Sequence, residues 1–150
     1  MKTLLKGKVG FVENHNNWSL EVNVKWNRRM IYTTIKSRKL DLRTDFESCK
    51  LTQFNLFTLL SYVASSRSDS YSFYGNKSEY SDLILESNST LPLMEAKNAK
   101  IMLDGKYLIF SGGTRKKDIS SLSNVFTLFK MLMKEIDELK DKNVTQQRVL

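Results

Sequence analysis

With 150 residues, 41% of them hydrophobic and 27% charged, the chain has enough apolar side chains for one ordinary core and too many for a disordered polyelectrolyte. Its formal net charge of +8, from 24 Lys and Arg against 16 Asp and Glu, favours polyanionic partners or acidic protein surfaces. A single cysteine, Cys49, excludes an internal disulfide, and a single histidine, His15, leaves no Cys/His set able to close a zinc site, so a reducing cytoplasmic, nucleoid or nuclear setting is expected.

The opening "MKTLLKGKVGF" is broken by Lys6 and Lys8 after two leucines, well short of an apolar export signal. No run reaches the length of a membrane span, so neither secretion nor a membrane partner is expected. Lys8 to Glu13 reads as a short strand. Residues 18 to 26 alternate without a fault, with Trp18, Leu20, Val22, Val24 and Trp26 on one face and Ser19, Glu21, Asn23 and Lys25 on the other. The turn Asn27 to Arg29 leads into "MIYTTIK", rich in β-branched and aromatic types, and the pair is predicted to be an antiparallel hairpin.

Further along, "LTQFNLFTLLSYVASS" (Leu51 to Ser66) places Phe57, Leu60, Val63 and Ala64 at helical spacing behind Thr52 as N-cap, which predicts a first helix. "SYSFY" and "YSDLILESN" read as two strands on either side of residue 76, ahead of the lone proline, Pro92. "AKIMLDGKYLIF" carries the Asp104-Gly105 signal of a tight hairpin. A long helix is predicted from 119 to about 142, with Leu122, Val125, Phe129, Leu132, Ile136 and Leu139 in a 3,4 repeat, followed by a polar tail from 143 to 150.

The two hairpins superpose under a shift of 77 residues, "VKWNRRMIY" upon "IMLDGKYLI", and "SRKLDL" (Ser37 to Leu42) then falls on "TRKKDI" (Thr114 to Ile119). Under a shift of 69, "NLFTLL" (Asn55 to Leu60) matches "NVFTLF" (Asn124 to Phe129). The predicted fold class is therefore α+β, with two pseudo-repeated units of antiparallel strands, about 1 to 66 and 67 to 150, each followed by a helix and sharing one core in a single domain. In outline this layout is similar to that of the Whirly and PUR-type single-stranded nucleic-acid binders, and "GKYLIFS" (Gly105 to Ser111) resembles the late strands of a PUR repeat.

Positive charge is concentrated early. Residues 1 to 50 carry 11 basic and 5 acidic groups, residues 51 to 100 carry 4 and 5, and residues 101 to 150 carry 9 and 6. The candidate nucleic-acid-binding residues are Lys25, Arg28, Arg29, Lys36, Arg38, Lys39 and Arg43, joined by Arg115, Lys116 and Lys117 from the second unit, because cations following a phosphate backbone gain affinity by releasing counterions. Tyr32 is the first candidate for base stacking, followed by Tyr71, Phe73 and Tyr74. Trp18 and Trp26 share an apolar face that meets either the core or a ligand. Asp41 and Asp118 fit the capping of a turn or helix better than catalysis.

A binding protein for DNA or RNA, with low sequence specificity and no cofactor, is the first reading. A protein-interaction or assembly module is the second. It would use the sheet face and the last helix, whose heptad positions at Leu122, Phe129 and Ile136 could extend into a dimer contact, and a strand-rich head followed by such a helix is similar in outline to the heads of centriolar and end-joining scaffold proteins. An Mg²⁺-dependent nuclease is the third. It would use Asp82, Glu95 and Lys97, since a hard cation needs paired carboxylates. The chain carries no phosphate-binding glycine loop and no nucleophile elbow.

Overall fold

The computed structural model of the protein describes residues 6–41, 43–53, 71–118 and 120–149. Seven strands lie among them: β1 (Gly7–His15), β2 (Trp18–Trp26), β3 (Met30–Lys39), β4 (Phe46–Gln53), β5 (Tyr71–Gly75), β6 (Lys97–Gly105) and β7 (Tyr107–Arg115). They form one antiparallel sheet in the order β1-β2-β3-β7-β6-β4-β5. Three helices accompany it, α1 (Glu79–Glu86), α2 (Thr90–Met94) and α3 (Ser120–Val149), so the fold is mixed α+β. None of these helices is long and apolar enough to cross a membrane.

Alternation builds the core. Cross-strand register sets Val22 against Ile35, Ile35 against Phe110, Phe110 against Ile101, and Ile101 against Leu51, so one face of the sheet is apolar from β2 to β4. The helices cover that face. Ile84 of α1, Leu93 and Met94 of α2, and Val125, Phe129, Leu132, Met133 and Ile136 of α3 join the same buried cluster. Each fully buried Leu or Phe contributes about 1.5–3 kcal/mol. We call this the inner face and its opposite the outer face.

Both predicted hairpins form. Asn27 Oδ1 accepts the Arg29 and Met30 N–H groups, each at 2.9 Å, and closes the β2–β3 turn, while Asp104 pairs with Tyr107 at the β6–β7 turn. Their registers correspond under the 77-residue shift: Trp26 faces Ile31 as Leu103 faces Leu108, and Val24 faces Thr33 as Ile101 faces Phe110.

Four expectations change. Residues 79 to 86 are helical where "YSDLILESN" reads as a strand, because Ser78 caps them: its hydroxyl accepts the Ser81 N–H at 3.2 Å, and the Ser81 hydroxyl accepts the Ser78 N–H at 2.8 Å. Leu51–Gln53 belongs to β4, so Thr52 caps no helix, and the remainder of the expected helix lies outside the described residues. The last helix runs through Val149, past the point where a tail is expected. Finally, a boundary at 66/67 does not divide the sheet, because β4, from the first half of the chain, lies between β6 and β5.

A polar clamp fixes α3 to the inner face. Lys39, only 4% exposed, pairs with Asp137 of α3, which also accepts the Trp18 indole N–H at 3.2 and 3.1 Å from its two oxygens. One turn on, Lys140 pairs with Asp41 and donates to Thr44 Oγ1 at 2.9 Å. Burial, and then the Lys39 ammonium, hold the Lys140 pKa below its ordinary value. Burial first, then Glu79 and Asp137, push the Tyr80 phenol up. On β1, Glu13 pairs with Lys130 of α3 at 3.0 Å.

Candidate nucleic-acid interface

Side chains on alternate positions of each strand turn away from the core, and on the outer face they form rows that cross the sheet. One row holds Lys8 of β1, Lys25 of β2 and Tyr32 of β3, register partners in succession, and continues to Gly113 of β7, whose own partner is Lys97 at the irregular start of β6. The next holds Asn23, Thr34, Ser111, Lys100, Thr52 and Ser72. A third holds Glu21, Lys36, Ile109, Met102, Lys50 and Tyr74, and a fourth Ser19, Arg38, Tyr107 and Asp104. The described helices all pack on the inner face.

Strands stand ~4.8 Å apart, so Lys8 and Lys25 sit side by side with no carboxylate in their row. Like charges directly opposite destabilise a sheet, and an anion bound between them would relieve that cost. The aromatic groups of this face lie beside cations. Lys36 Nζ is 4.7 Å from the Tyr107 ring centroid and Lys50 Nζ is 5.5 Å from that of Tyr74. Tyr32 lies across β7 at Gly113, where a Cβ would come within 3.0 Å of its ring, so a side chain there would push the tyrosine aside. Tyr32 is 37% and Tyr74 51% exposed.

A second group of cations occupies one end of the sheet. Arg28 and Arg29 are exposed in the β2–β3 turn, Met30 is the register partner of Arg115, and the 3₁₀ turn Lys116–Asp118 follows directly. Its Lys116 N–H donates to the Arg29 carbonyl at 2.9 Å, joining the two segments. Nine of the eleven candidate residues thus lie on the outer face or at this end of the sheet: Lys25, Tyr32, Lys36, Arg38 and Arg115 on the outer face or its margin, and Arg28, Arg29, Lys116 and Lys117 at that end, where Lys116 lines a cleft on the inner side with Val24, Trp26, Ile31 and Leu122.

The other two lie elsewhere. Lys39 faces inward with Ile31, Ile35 and Ser37, and its charge is neutralised by Asp137. Arg43 stands beyond the opposite end of β3, its N–H donating at 2.8 Å to Asp41 Oδ1, so Asp41 caps that turn as its sequence position suggests. Neither belongs to the outer-face surface. Arg38→Ala should therefore weaken oligonucleotide binding with Tm nearly unchanged, whereas Lys39→Ala should lower Tm and leave the affinity of the folded protein alone. Thermal melts and fluorescence anisotropy on the same samples check both.

Several contributors are absent from the sequence-derived set: Lys8, Lys50, Lys100 and Tyr107, each isolated along the chain and brought in only by register. Trp18 is core, stacked on Phe46 with ring centroids 6.3 Å apart, while Trp26 is only half-buried. Glu95 and Lys97 line a cleft of about 530 Å³ with Asp118 and Arg115, and Asp82 is not part of its wall. Among the described residues no three His, Cys, Asp or Glu are grouped closely enough to hold a metal ion. Cys49 is buried, and burial pushes its thiol above the ordinary value, which makes it a poor nucleophile.

Comparison with known protein families, with curated proteins and with solved structures finds no match to this chain.

Proposed function

We propose that the protein binds DNA or RNA without chemistry, laying the phosphate backbone across the outer face of its sheet. The observation that carries this reading is the composition of that face. Lysines and arginines from six strands (Lys8, Lys25, Lys36, Arg38, Lys50, Lys100 and Arg115) stand there among Tyr32, Tyr74 and Tyr107. Ammonium and guanidinium groups supply sequence-independent affinity, and the tyrosines offer faces on which bases of any identity can stack. Glu21 and Asp104 on the same face would keep the strand off their own positions and help set its path.

The face has an approximate symmetry that supports an internal duplication confined to the hairpins. β3 and β7 pair antiparallel, and Thr34 faces Ser111, its own equivalent under the 77-residue shift, so a local dyad would pass through the middle of the sheet. A ligand crossing there meets hydroxyl-rich, side-chain-poor surface between two sets of cations. Beyond the hairpins the correspondence ends, since the shift carries β1 onto residues of α1 and α2.

Titrating labelled single- and double-stranded oligonucleotides at rising salt tests the proposal. If about six phosphates are neutralised, affinity should fall several hundredfold or more between about 50 and 200 mM salt. An affinity that ignores salt, or no binding at low salt, would remove it.

A further inference from the structure

The outer face ends, where β1 begins and β2 finishes, in a cleft of about 740 Å³ walled by Lys6, Lys8, Lys25, Trp26, Asn27 and Tyr32. That volume is within the range of about 300–1,000 Å³ typical of small-molecule sites. Two of its features are seldom found together. Its aromatic walls are Tyr32, exposed on the outer face, and Trp26, which enters from the inner-face row at the last position of β2 and is half-buried although Trp18, Leu20 and Val22 in phase with it are fully buried. Three ammonium groups surround them, and Lys6, Lys8 and Lys25 make no ion pair among the described residues.

Position 7 is part of the construction. The Trp26 ring lies so close over Gly7 that a Cβ there would be 2.5 Å from ring carbon Cζ2, so any other residue would displace the indole from the wall. Asn27 contributes direction. Its Oδ1 is already occupied by the Arg29 and Met30 N–H groups, which leaves its side-chain nitrogen to donate outward.

An apolar ligand would leave three ammonium groups uncompensated, and a simple anion would make no use of an indole and a phenol. A nucleobase flanked by phosphates satisfies both demands. The geometry points to a nucleotide-capturing cleft, in which an unpaired base of a bound strand stacks on Trp26 at the end of the sheet, a neighbouring base stacks on Tyr32, and their phosphates pair with Lys6, Lys8 and Lys25. This rests on the outer-face reading above and adds to it a preference for unstacked bases, because a duplex keeps its base faces covered.

Tryptophan emission reads the site directly. Trp18 and Trp26 are the two tryptophans of the chain, and Trp18 is 0% exposed, so quenching by a ligand reports on Trp26. The probes are a short oligothymidylate, an abasic strand of equal length, a matched duplex and thymidine monophosphate. Oligothymidylate should quench the emission and bind at least about fivefold tighter than the abasic strand, the lower end of what one stacked base contributes. The Trp26→Leu variant should lose that discrimination and the Trp26→Phe variant should keep part of it. Tyr32→Leu serves the same purpose should Trp26→Leu fail to fold. Equal affinity for thymidylate and abasic strands with unchanged emission would overturn the cleft while leaving salt-dependent binding on the outer face intact. Absence of salt-dependent binding to every strand would instead remove the outer-face reading, and the cleft with it. Quenching by the mononucleotide at an affinity equal to or better than that of the strand would overturn strand capture and assign the cleft to a free nucleotide.

Discussion

Replacing Asp137 by alanine is expected to lower the unfolding free energy by about 3–5 kcal/mol, among the largest effects of any single polar substitution in the protein. The carboxylate of Asp137 is the partner of Lys39, which is 4% exposed, and it also accepts the Trp18 indole N–H. Without it a buried ammonium stands unpaired, one helical turn from the ammonium of Lys140, whose pKa is already lowered in part by Lys39. For a chain of this size the loss corresponds to a drop in Tm of roughly 10 °C. Asp137→Asn should fall between alanine and the native residue, since it retains an acceptor for Trp18 and loses only the charge. Pairing Asp137→Leu with Lys39→Met should recover most of the loss, because exchanging a whole buried ion pair for apolar groups is often close to neutral. Denaturant titration of the four variants measures all of this. Failure of the double variant to recover would put the cost in packing, not in the stranded charge.

Reversing charge on the outer face should do the opposite, sparing the fold and removing the binding. The triple variant Lys25→Glu, Lys36→Glu and Arg38→Glu changes three exposed side chains of the outer face. Stability should move by about 1 kcal/mol per site or less, most at Lys36, where glutamate would face Glu21 across the strands and lose the contact with the Tyr107 ring. Affinity for an oligonucleotide at about 50 mM salt should fall roughly a hundredfold or more, since each reversal removes a phosphate partner and adds a repulsion. The slope of log affinity against log salt should also flatten by about 2–3, the sum of three lost phosphate contacts. Anisotropy titrations at several salt concentrations give both numbers. An unchanged slope would place the strand elsewhere on the molecule.

These two predictions divide a dipeptide that looks uniform in sequence. Arg38 and Lys39 stand in sequence as neighbouring positive charges, yet a strand sends neighbours to opposite faces, and the phase of "MIYTTIKSRK" already puts Lys39 with Ile31 and Ile35. The information was present in the alternation; adjacency alone obscured it. Both hairpins were legible because their apolar period and turn residues agree with each other. Helix α1 was not, because its capping box uses Ser81 where Glu or Gln is the usual third-position residue. Strand β4 was hidden by an irregularity between Phe46 and Cys49 that breaks its period of two. The cleft could not be read at all, since only the pairing of Lys8 with Lys25 brings the first strand alongside the second.

The adjacency of β3 and β7 also bears on how the protein comes to exist in a cell. The two strands near the middle of the sheet are separated by the 67 residues between Lys39 and Tyr107, so a polypeptide growing on a ribosome has completed β1, β2 and β3 well before their neighbour is made. At about 5–20 residues per second that interval lasts several seconds, during which Ile31, Ile35 and an unmated backbone edge are available to other nascent chains. Synthesis of this protein therefore passes through a stage that holdase chaperones are suited to shield, and slow translation past Lys39 would lengthen the exposure.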